Sequence, residues 1–280
     1  MIFANRGIEV KTPDQLRTMR RAGLVVAQML AATAAEARPG ITTAELDSVA
    51  AEVLAANGAT SNFLNYGDDA NGEGGFRGVV CLSVNDEIVH GVPGERVLAE
   101  GDLLSIDGGA IIDGWHGDSA LTVPVGAWPS GGEALSDACR DSLWAGIAAA
   151  RLGERIGGIS AAIEASLAGT GYGIVEEYVG HGIGSAMHQP PDVPNQGRPN
   201  RGPKLTAGMA LCIEPMITLG SPANAVLDDD WTVVTTDGSL ACHWEHMITV
   251  TQHGVWVMTA EDGGEEMLNS LGVPFGPLSD

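Results

Sequence analysis

Ile106-Asp107-Gly108-Gly109-Ala110-Ile111-Ile112-Asp113-Gly114-Trp115-His116-Gly117-Asp118-Ser119-Ala120-Leu121-Thr122-Val123 reads as two strands joined by a tight turn. Asp113-Gly114 is a strong hairpin pair, because Asp and Gly tolerate the positive φ that a two-residue turn between twisted strands requires. With those two residues at the turn, Ile112 faces Trp115 and Asp107 faces Ala120. Asp118 is then the diagonal neighbour of Asp107 on the same face, with Cβ atoms about 7 Å apart. Two bare carboxylates at that separation are awkward in a core and suited to a cation lying between them. From the hairpin alone, a place at the solvent edge is equally open.

Working outward, the chain matches itself. Leu98-Ala-Glu-Gly-Asp-Leu-Leu-Ser-Ile-Asp107 aligns with Leu205-Thr-Ala-Gly-Met-Ala-Leu-Cys-Ile-Glu214, and His116-Gly-Asp118-Ser-Ala-Leu-Thr-Val123 with His243-Trp-Glu245-His-Met-Ile-Thr-Val250. A shorter match joins His90-Gly-Val92 to His181-Gly-Ile183. Each match is weak alone, yet all three occur in the same order, and each aligns a metal or proton ligand. The sequence therefore predicts one domain over residues 1–280, duplicated as approximately 8–125 and 131–260, with equivalent residues converging about a pseudo-two-fold axis. Periodicity adds helices near 13–37, 43–57, 131–151 and 158–169. Strands are expected around 78–84, 103–112, 115–125, 174–180, 209–218 and 246–258.

The other aligned carboxylates sharpen the chemistry. Glu214 ends the apolar run Met209-Ala-Leu-Cys-Ile213, and Glu245 shares a strand face with Met247 and Thr249. Carboxylates are almost never fully buried unless paired or metal-bound. No Lys or Arg lies beside Asp107, Asp118, Glu214 or Glu245 in sequence. Two divalent cations would balance the four, with His181 adding a neutral nitrogen, and this oxygen-rich set suits manganese, iron or cobalt. His116 and His243, each two residues before a carboxylate, are expected to support the ligands or the fold. His246, on the opposite strand face from Glu245, is expected to be structural or exposed, and His253 lies in a turn.

Composition excludes other classes. Apolar residues at 44% are enough for a full core, and charged residues at 18% argue against disorder. Asp and Glu outnumber Lys and Arg 36 to 14, for a net charge of -22, so the surface repels phosphate backbones and anionic membranes. Cys81, Cys139, Cys212 and Cys242 are too widely spaced for a paired zinc or redox motif. No apolar run approaches the roughly 20 residues needed to cross a bilayer, and no leader pattern opens the chain. The expectation is a cytoplasmic protein without disulfides.

Ser83-Val-Asn-Asp-Glu-Ile-Val-His-Gly-Val-Pro93, Gly114-Trp-His-Gly-Asp118, Gly180-His-Gly-Ile-Gly184, Ile213-Glu-Pro-Met216 and Trp244-Glu-His246 together resemble type I methionine aminopeptidases. That family has the α+β "pita-bread" fold, duplicated halves around a central antiparallel sheet backed by helices, shared with prolidase, aminopeptidase P and creatinase. The resemblance runs from Ile8 to about Thr259. It implies a metal-dependent exopeptidase that removes the initiator methionine from nascent polypeptides, preferring a small second residue. It implies two divalent ions (cobalt, manganese or iron) on Asp107, Asp118, His181, Glu214 and Glu245, with a bridging water as nucleophile. Glu214 would pass on the proton, and His90 and His188 would contact the substrate near the scissile bond. Phe63, Tyr66, Phe76, Cys81, Met187 and Trp231 would form the methionine pocket. Ribosome association is left open, a monomer is the default, and neither nucleic acid nor membrane is an expected direct partner. The compact form argues against a prolidase-like or type II enzyme. Retention of all five ligand positions argues against a non-catalytic binding module, and an X-Pro exopeptidase of the aminopeptidase P kind is the enzymatic alternative.

The sequence departs from the family in two places. Gly67-Asp-Asp-Ala-Asn-Gly-Glu-Gly-Gly75 is longer and more acidic than the family's loop, and reads as flexible at the pocket mouth. Gly108-Gly109 after Asp107 either loosens the strand or marks a close backbone approach.

Overall fold

The computed structural model describes residues 7–278, so residues 1–6 and 279–280 of the expected domain lie outside the described residues. Helix α1 (Pro13–Glu36) starts where Thr12 and Gln15 form a reciprocal capping box, with Pro13 in the first turn. Helix α2 (Thr43–Ala56) repeats the device with Thr42 and Glu45. Both bury one apolar stripe, α1 through residues such as Met19, Val26 and Met29 and α2 through Leu46, Ala50 and Leu54. Helices α3 (Gly132–Ala149) and α4 (Ile156–Ser166) pack on each other and on a second core that includes Leu211, Ile213 and Ile248.

The central sheet is antiparallel throughout. Its order runs Thr60–Ser61, Leu103–Ile112, Trp115–Pro124, Glu245–Val250, Ala210–Ile213, Gly180–Gly182, Gln189–Val193. Val80–Val84 also pairs with Leu103–Ile112, and Val255–Val257 with Glu245–Val250. The predicted hairpin has the expected register: Ile112 opposes Trp115, Asp107 opposes Ala120 and Gly109 opposes Asp118. Asp113 and Gly114 take φ values of 50° and 78° at the turn. Within the central sheet, the described strands before and after residue 130 meet at two residue pairs, Glu245 with Ala120 and His246 with Ser119.

The glycines after Asp107 mark close approach, and the strand runs unbroken to Ile112. A Cβ on Gly108 would strike the Met29 side chain, and one on Gly117 would lie 2.8 Å from the Gly23 nitrogen. Helix α1 therefore sits directly on the hairpin's outer face.

Three expected strands are corrected. Residues 174–180 form only two short pieces, Gly173–Ile174 and Gly180–Gly182, with irregular chain between them. The run 209–218 breaks at Glu214-Pro215, because proline offers no N–H to a ladder. Ala210–Ile213 stays in the central sheet, while Met216–Thr218 joins Ala241–His243 and Gly173–Ile174 in a separate sheet. The run 246–258 is a hairpin, turned where the Thr251 hydroxyl accepts from the His253 and Gly254 amides. A third small sheet, Asn224–Val226, Val233–Thr235 and Glu87–Val89, carries the loops on either side of the site.

Candidate functional site

Antiparallel register assembles the site as a row across the sheet. Cys81, Asp107, Ala120 and Glu245 are successive cross-strand partners, so their side chains share one face. Asp118 lies two residues from Ala120 on the same strand and joins that face. Glu214 follows Ile213, the partner of His246, at the point where Pro215 ends the strand. The Asn195 amide fixes it by donating to the Glu214 carbonyl at 3.1 Å. His181 comes from the next strand, with Nε2 3.4 Å from Glu214 Oε1 and Nδ1 3.0 Å from its neighbour's carbonyl, Gly182 O. If Nδ1 donates to that carbonyl, Nε2 keeps its lone pair toward the carboxylates.

One cavity of about 110 Å³ is lined by all thirteen residues singled out in the sequence: Asp107, Asp118, His181, Glu214, Glu245, His90, His188, Phe63, Tyr66, Phe76, Cys81, Met187 and Trp231. Its two sides differ in chemistry. One holds the carboxylates and histidines. The other is an apolar cluster of Phe63, Phe76, Cys81 and Met187, with Trp231 packed against it. Phe63 and Phe76 meet edge to face at 6.3 Å, and Phe76 meets Trp231 the same way at 5.5 Å.

The electrostatics are those of unbalanced negative charge in a dry place. Burial raises the pKa of Asp107 to about 7. Burial and then mutual repulsion raise Asp118, Glu214 and Glu245 well above the usual carboxylate range. One oxygen each of Asp107, Asp118 and Glu245 is buried without a hydrogen-bond partner among the described residues. Among the described residues, no lysine or arginine lines the cavity. Burial, reinforced by His188, lowers His181 to about 3 and His90 to about 4, so both rings are neutral at physiological pH. Orphaned carboxylate oxygens beside a neutral imidazole are a donor set fitted to divalent cations.

His188 is held by the Tyr66 hydroxyl, 2.7 Å from its Nδ1, and its ring abuts His181 at 4.4 Å. With the tyrosine donating, Nε2 carries the His188 proton. His90 takes a φ of 60°, a conformation uncommon outside glycine, and lies between the rings of Tyr178 and Trp231.

The other histidines sort out by contact. His243 Nε2 is 3.8 Å from Glu214 Oε2 in a fully buried position behind the row. The His116 Nδ1 has no partner among the described residues. His246 points away from Glu245, with its ring against Trp144 and Nδ1 2.8 Å from the Thr259 hydroxyl.

Sequence reasoning missed three residues. Cys212 contributes a sulfur that, with ligand atoms of Asp118, His181 and Glu245, forms a group all within 4.8 Å of one another. Burial, then the nearby Glu245 and Asp118, raise its pKa, so it is a neutral thiol. Its place two residues before Glu214 was the available signal, since strand residues two apart share a face. Tyr178 faces His90, and with Glu177 and Asp192 it lines an adjoining cavity of about 470 Å³. Asn195 is the third, and no sequence motif marks it.

A buried carboxylate–histidine cluster beside an apolar pocket is the apparatus of a metallopeptidase. The chain belongs to metallopeptidase family M24, whose model matches residues 17–252. It is 48% identical over 261 residues to methionine aminopeptidase 1 of Mycobacterium tuberculosis, covering 91% of this chain and 96% of the relative. It is 44% identical over 249 residues to methionine aminopeptidase 1 of Bacillus subtilis, covering 89% and 98%. The crystal structure of a methionine aminopeptidase from Thermotoga maritima superposes with a TM-score of 0.86 at 36% identity, covering 91% of this chain and 100% of that one. Prolidase from Pyrococcus furiosus shares the pita-bread fold, with a TM-score of 0.72 at 18% identity over 90% of this chain and 65% of that one.

Proposed function

We propose that this chain is a metal-dependent methionine aminopeptidase that removes the N-terminal methionine from nascent polypeptides. What carries the reading is the single cavity that joins the carboxylate–histidine cluster to a wall of Phe63, Phe76, Cys81, Met187 and Trp231. Aromatic faces and soft sulfur-bearing side chains suit an unbranched thioether.

Asp107, Asp118, His181, Glu214 and Glu245 would hold two divalent cations, taken to be cobalt, manganese or iron. When bound, the cations supply a nucleophile at neutral pH and polarise the scissile carbonyl. The chain's own residues do the rest. The His188 Nε2–H, set by the Tyr66 hydrogen bond, and His90 donate toward the carbonyl oxygen as it gains negative charge. Glu214 takes a proton and passes it to the departing amine. The apolar wall closes round the first side chain, and the free α-amino group is received on the Asp107 side. That confines cleavage to the first bond. A small second residue, a cytoplasmic location, a monomeric state and a possible ribosome contact belong to the same proposal. The internal duplication over approximately 8–125 and 131–260 is also part of it.

The test is to remove metal with a chelator, restore manganese, iron or cobalt anaerobically, and follow hydrolysis of Met-Ala-Ser, Leu-Ala-Ser and Met-Pro-Ser. Methionine release from Met-Ala-Ser that returns with metal and is abolished by Asp118→Asn is the expected result. Preference for Met-Pro-Ser would move the chain toward an X-Pro exopeptidase. No activity with any metal would sink the enzymatic reading.

A further inference from the structure

The acidic loop 67–75 leaves the chain between two residues of the apolar wall, Tyr66 and Phe76. Its ends are closed by backbone bonds at its stem: the Phe76 amide donates to the Tyr66 carbonyl at 2.9 Å, and the Asn65 amide to the Phe76 carbonyl at 2.8 Å. A loop whose ends meet and whose interior is filled by its own contacts is a compact structural unit. Here the filling is extensive. Asp69 Oδ1 accepts from the Asn71 and Glu73 amides at 2.7 and 3.0 Å, and Asp68 Oδ1 accepts from the Gly75 amide at 3.0 Å.

Arg77 locks the unit from outside the pocket. Its guanidinium pairs with Asp68 at 2.9 Å, donates to the Asn65 side-chain oxygen at 2.6 Å and to the Gly72 carbonyl at 3.0 Å. An exposed ion pair contributes little to global stability by itself. A planar guanidinium that ties the start, middle and stem of one loop acts on the loop's shape instead.

The braced loop reaches Trp231. The indole Nε1–H donates to the Gly74 carbonyl at 3.1 Å. Gly67, at φ 81°, lies under the indole so closely that a Cβ there would be 3.2 Å from Cη2. On its other side Trp231 is anchored by Asp229, whose carboxylate accepts from the Trp231 and Thr232 amides at 2.9 and 2.8 Å. The indole is therefore clamped between two loops.

We propose that Arg77 is a positioning residue for substrate specificity: through loop 67–75 it holds the Trp231 indole as the roof of the first-residue pocket. The proposal deepens the methionine aminopeptidase reading and rests on it. Arg77 does not line the cavity, so its effect passes through Gly74 and Gly67 to the indole. A roof that packs equally on substrate and transition state changes KM and leaves kcat alone.

The experiment compares wild type, Arg77→Ala, Arg77→Lys, Asp68→Asn, Trp231→Phe and Arg77→Ala/Trp231→Phe, all metal-loaded, on Met-Ala-Ser and Leu-Ala-Ser. Arg77→Ala is expected to raise KM for Met-Ala-Ser by about three- to tenfold, the effect of losing one or two hydrogen bonds, with kcat unchanged within about twofold. Discrimination against Leu-Ala-Ser should shrink. Arg77→Lys, which keeps the charge without the fork, and Asp68→Asn should fall between. The double variant should behave as Trp231→Phe alone, because the brace has nothing left to hold. Independently of activity, hydrogen exchange of the Trp231 indole N–H, assigned from its loss in Trp231→Phe, should quicken in Arg77→Ala. An unchanged KM, a fall in kcat alone, additive effects in the double variant or an unchanged indole exchange rate would each overturn the proposal. If wild type cleaves no methionyl peptide, the methionine reading fails, and the specificity role with it. If wild type cleaves Met-Ala-Ser and Arg77→Ala matches it, only the roof fails.

Discussion

Asp107→Asn should make the metal-free protein more stable and the metal-loaded protein less so. Burial holds the Asp107 pKa at about 7, against the 3.8 of an exposed aspartate, a difference of about 3 units. At roughly 1.4 kcal/mol per unit, ionising Asp107 in the folded, metal-free site costs about 4 kcal/mol. The sign follows from proton binding. The folded pKa lies above the unfolded one, so between about pH 4 and pH 7 the folded state binds more protons. The stability contribution is therefore present below about pH 4 and is lost as pH rises to about 7. Asparagine carries no charge and escapes that loss. It gives back about 1–3 kcal/mol, because its amide sits where Asp107 Oδ1 already lacks a partner. The net gain at pH 7.5 in chelator is about 1–3 kcal/mol, or roughly 2–5 °C in Tm for a chain of this size. With excess Mn²⁺ the order should reverse, since wild type binds the cations more tightly and is stabilised in proportion. Calorimetry at pH 5 and 7.5, with EDTA and with Mn²⁺, supplies the four comparisons. A metal-free Asp107→Asn protein that melts below metal-free wild type at pH 7.5 would refute the argument that burial disfavours the charged Asp107 carboxylate until a cation compensates it.

Tyr66→Phe keeps the ring and removes the hydroxyl 2.7 Å from His188 Nδ1. Steady-state kinetics should show kcat down by about three- to tenfold with metal content unchanged, and a rise in KM alone would remove Tyr66 from the orienting role. Gly117→Ala places a methyl group 2.8 Å from the Gly23 nitrogen of α1. Lifting the helix should cost about 1–3 kcal/mol, and an unaltered melting curve would mean that the helix yields freely. Cys212→Ala should leave metal stoichiometry intact, because the four carboxylates and His181 already supply the oxygen-rich donor set that manganese, iron or cobalt prefers, without the thiol beside them. Loss of metal by elemental analysis would make Cys212 a ligand.

What could be read in the sequence was what local geometry determines. Asp113-Gly114 sets the hairpin register, and that register alone makes Asp107 and Asp118 diagonal neighbours. Apolar periodicity put the first two helix starts near 13 and 43, where the structure has them, each preceded by a threonine cap. The aromatic wall was legible only through family resemblance, since nothing local distinguishes Phe63 or Phe76 from core residues. Non-local pairing was the main obstacle. That Glu245 opposes Ala120 follows from a contact 125 residues apart in the chain, and the internal repeat hinted at it without fixing it. Strands of three residues such as Glu87–Val89 are too short to show a period. Glu214-Pro215 was a visible break, overridden by the apolar residues on both sides. The acidic loop read as loose because its composition does not show the turns that Asp68 and Asp69 make within it, nor the braces from Arg77 and Trp231 outside it.

The placement of the carboxylates gives a reason for the site's position in the fold. The central sheet is continuous across residue 130 through only two residue pairs, and one of them contains Glu245. Side chains reinforce the seam: the Ser119 hydroxyl donates to the Glu245 carbonyl at 2.5 Å, and the Thr122 hydroxyl to the His243 carbonyl at 2.7 Å. Asp107 and Asp118 stand on one side of this seam, Glu214 and His181 on the other, and Glu245 on the junction strand itself. Ionised, these carboxylates would repel one another across the seam, whereas cations shared between them would draw the two sides together. A site so placed would couple metal loading to the pairing across this seam. An inactive protein that has lost its cations should therefore also show faster amide exchange along Ser119–Leu121 and Glu245–Met247, while the hairpin end at Ile111–His116, remote from the seam, keeps its protection.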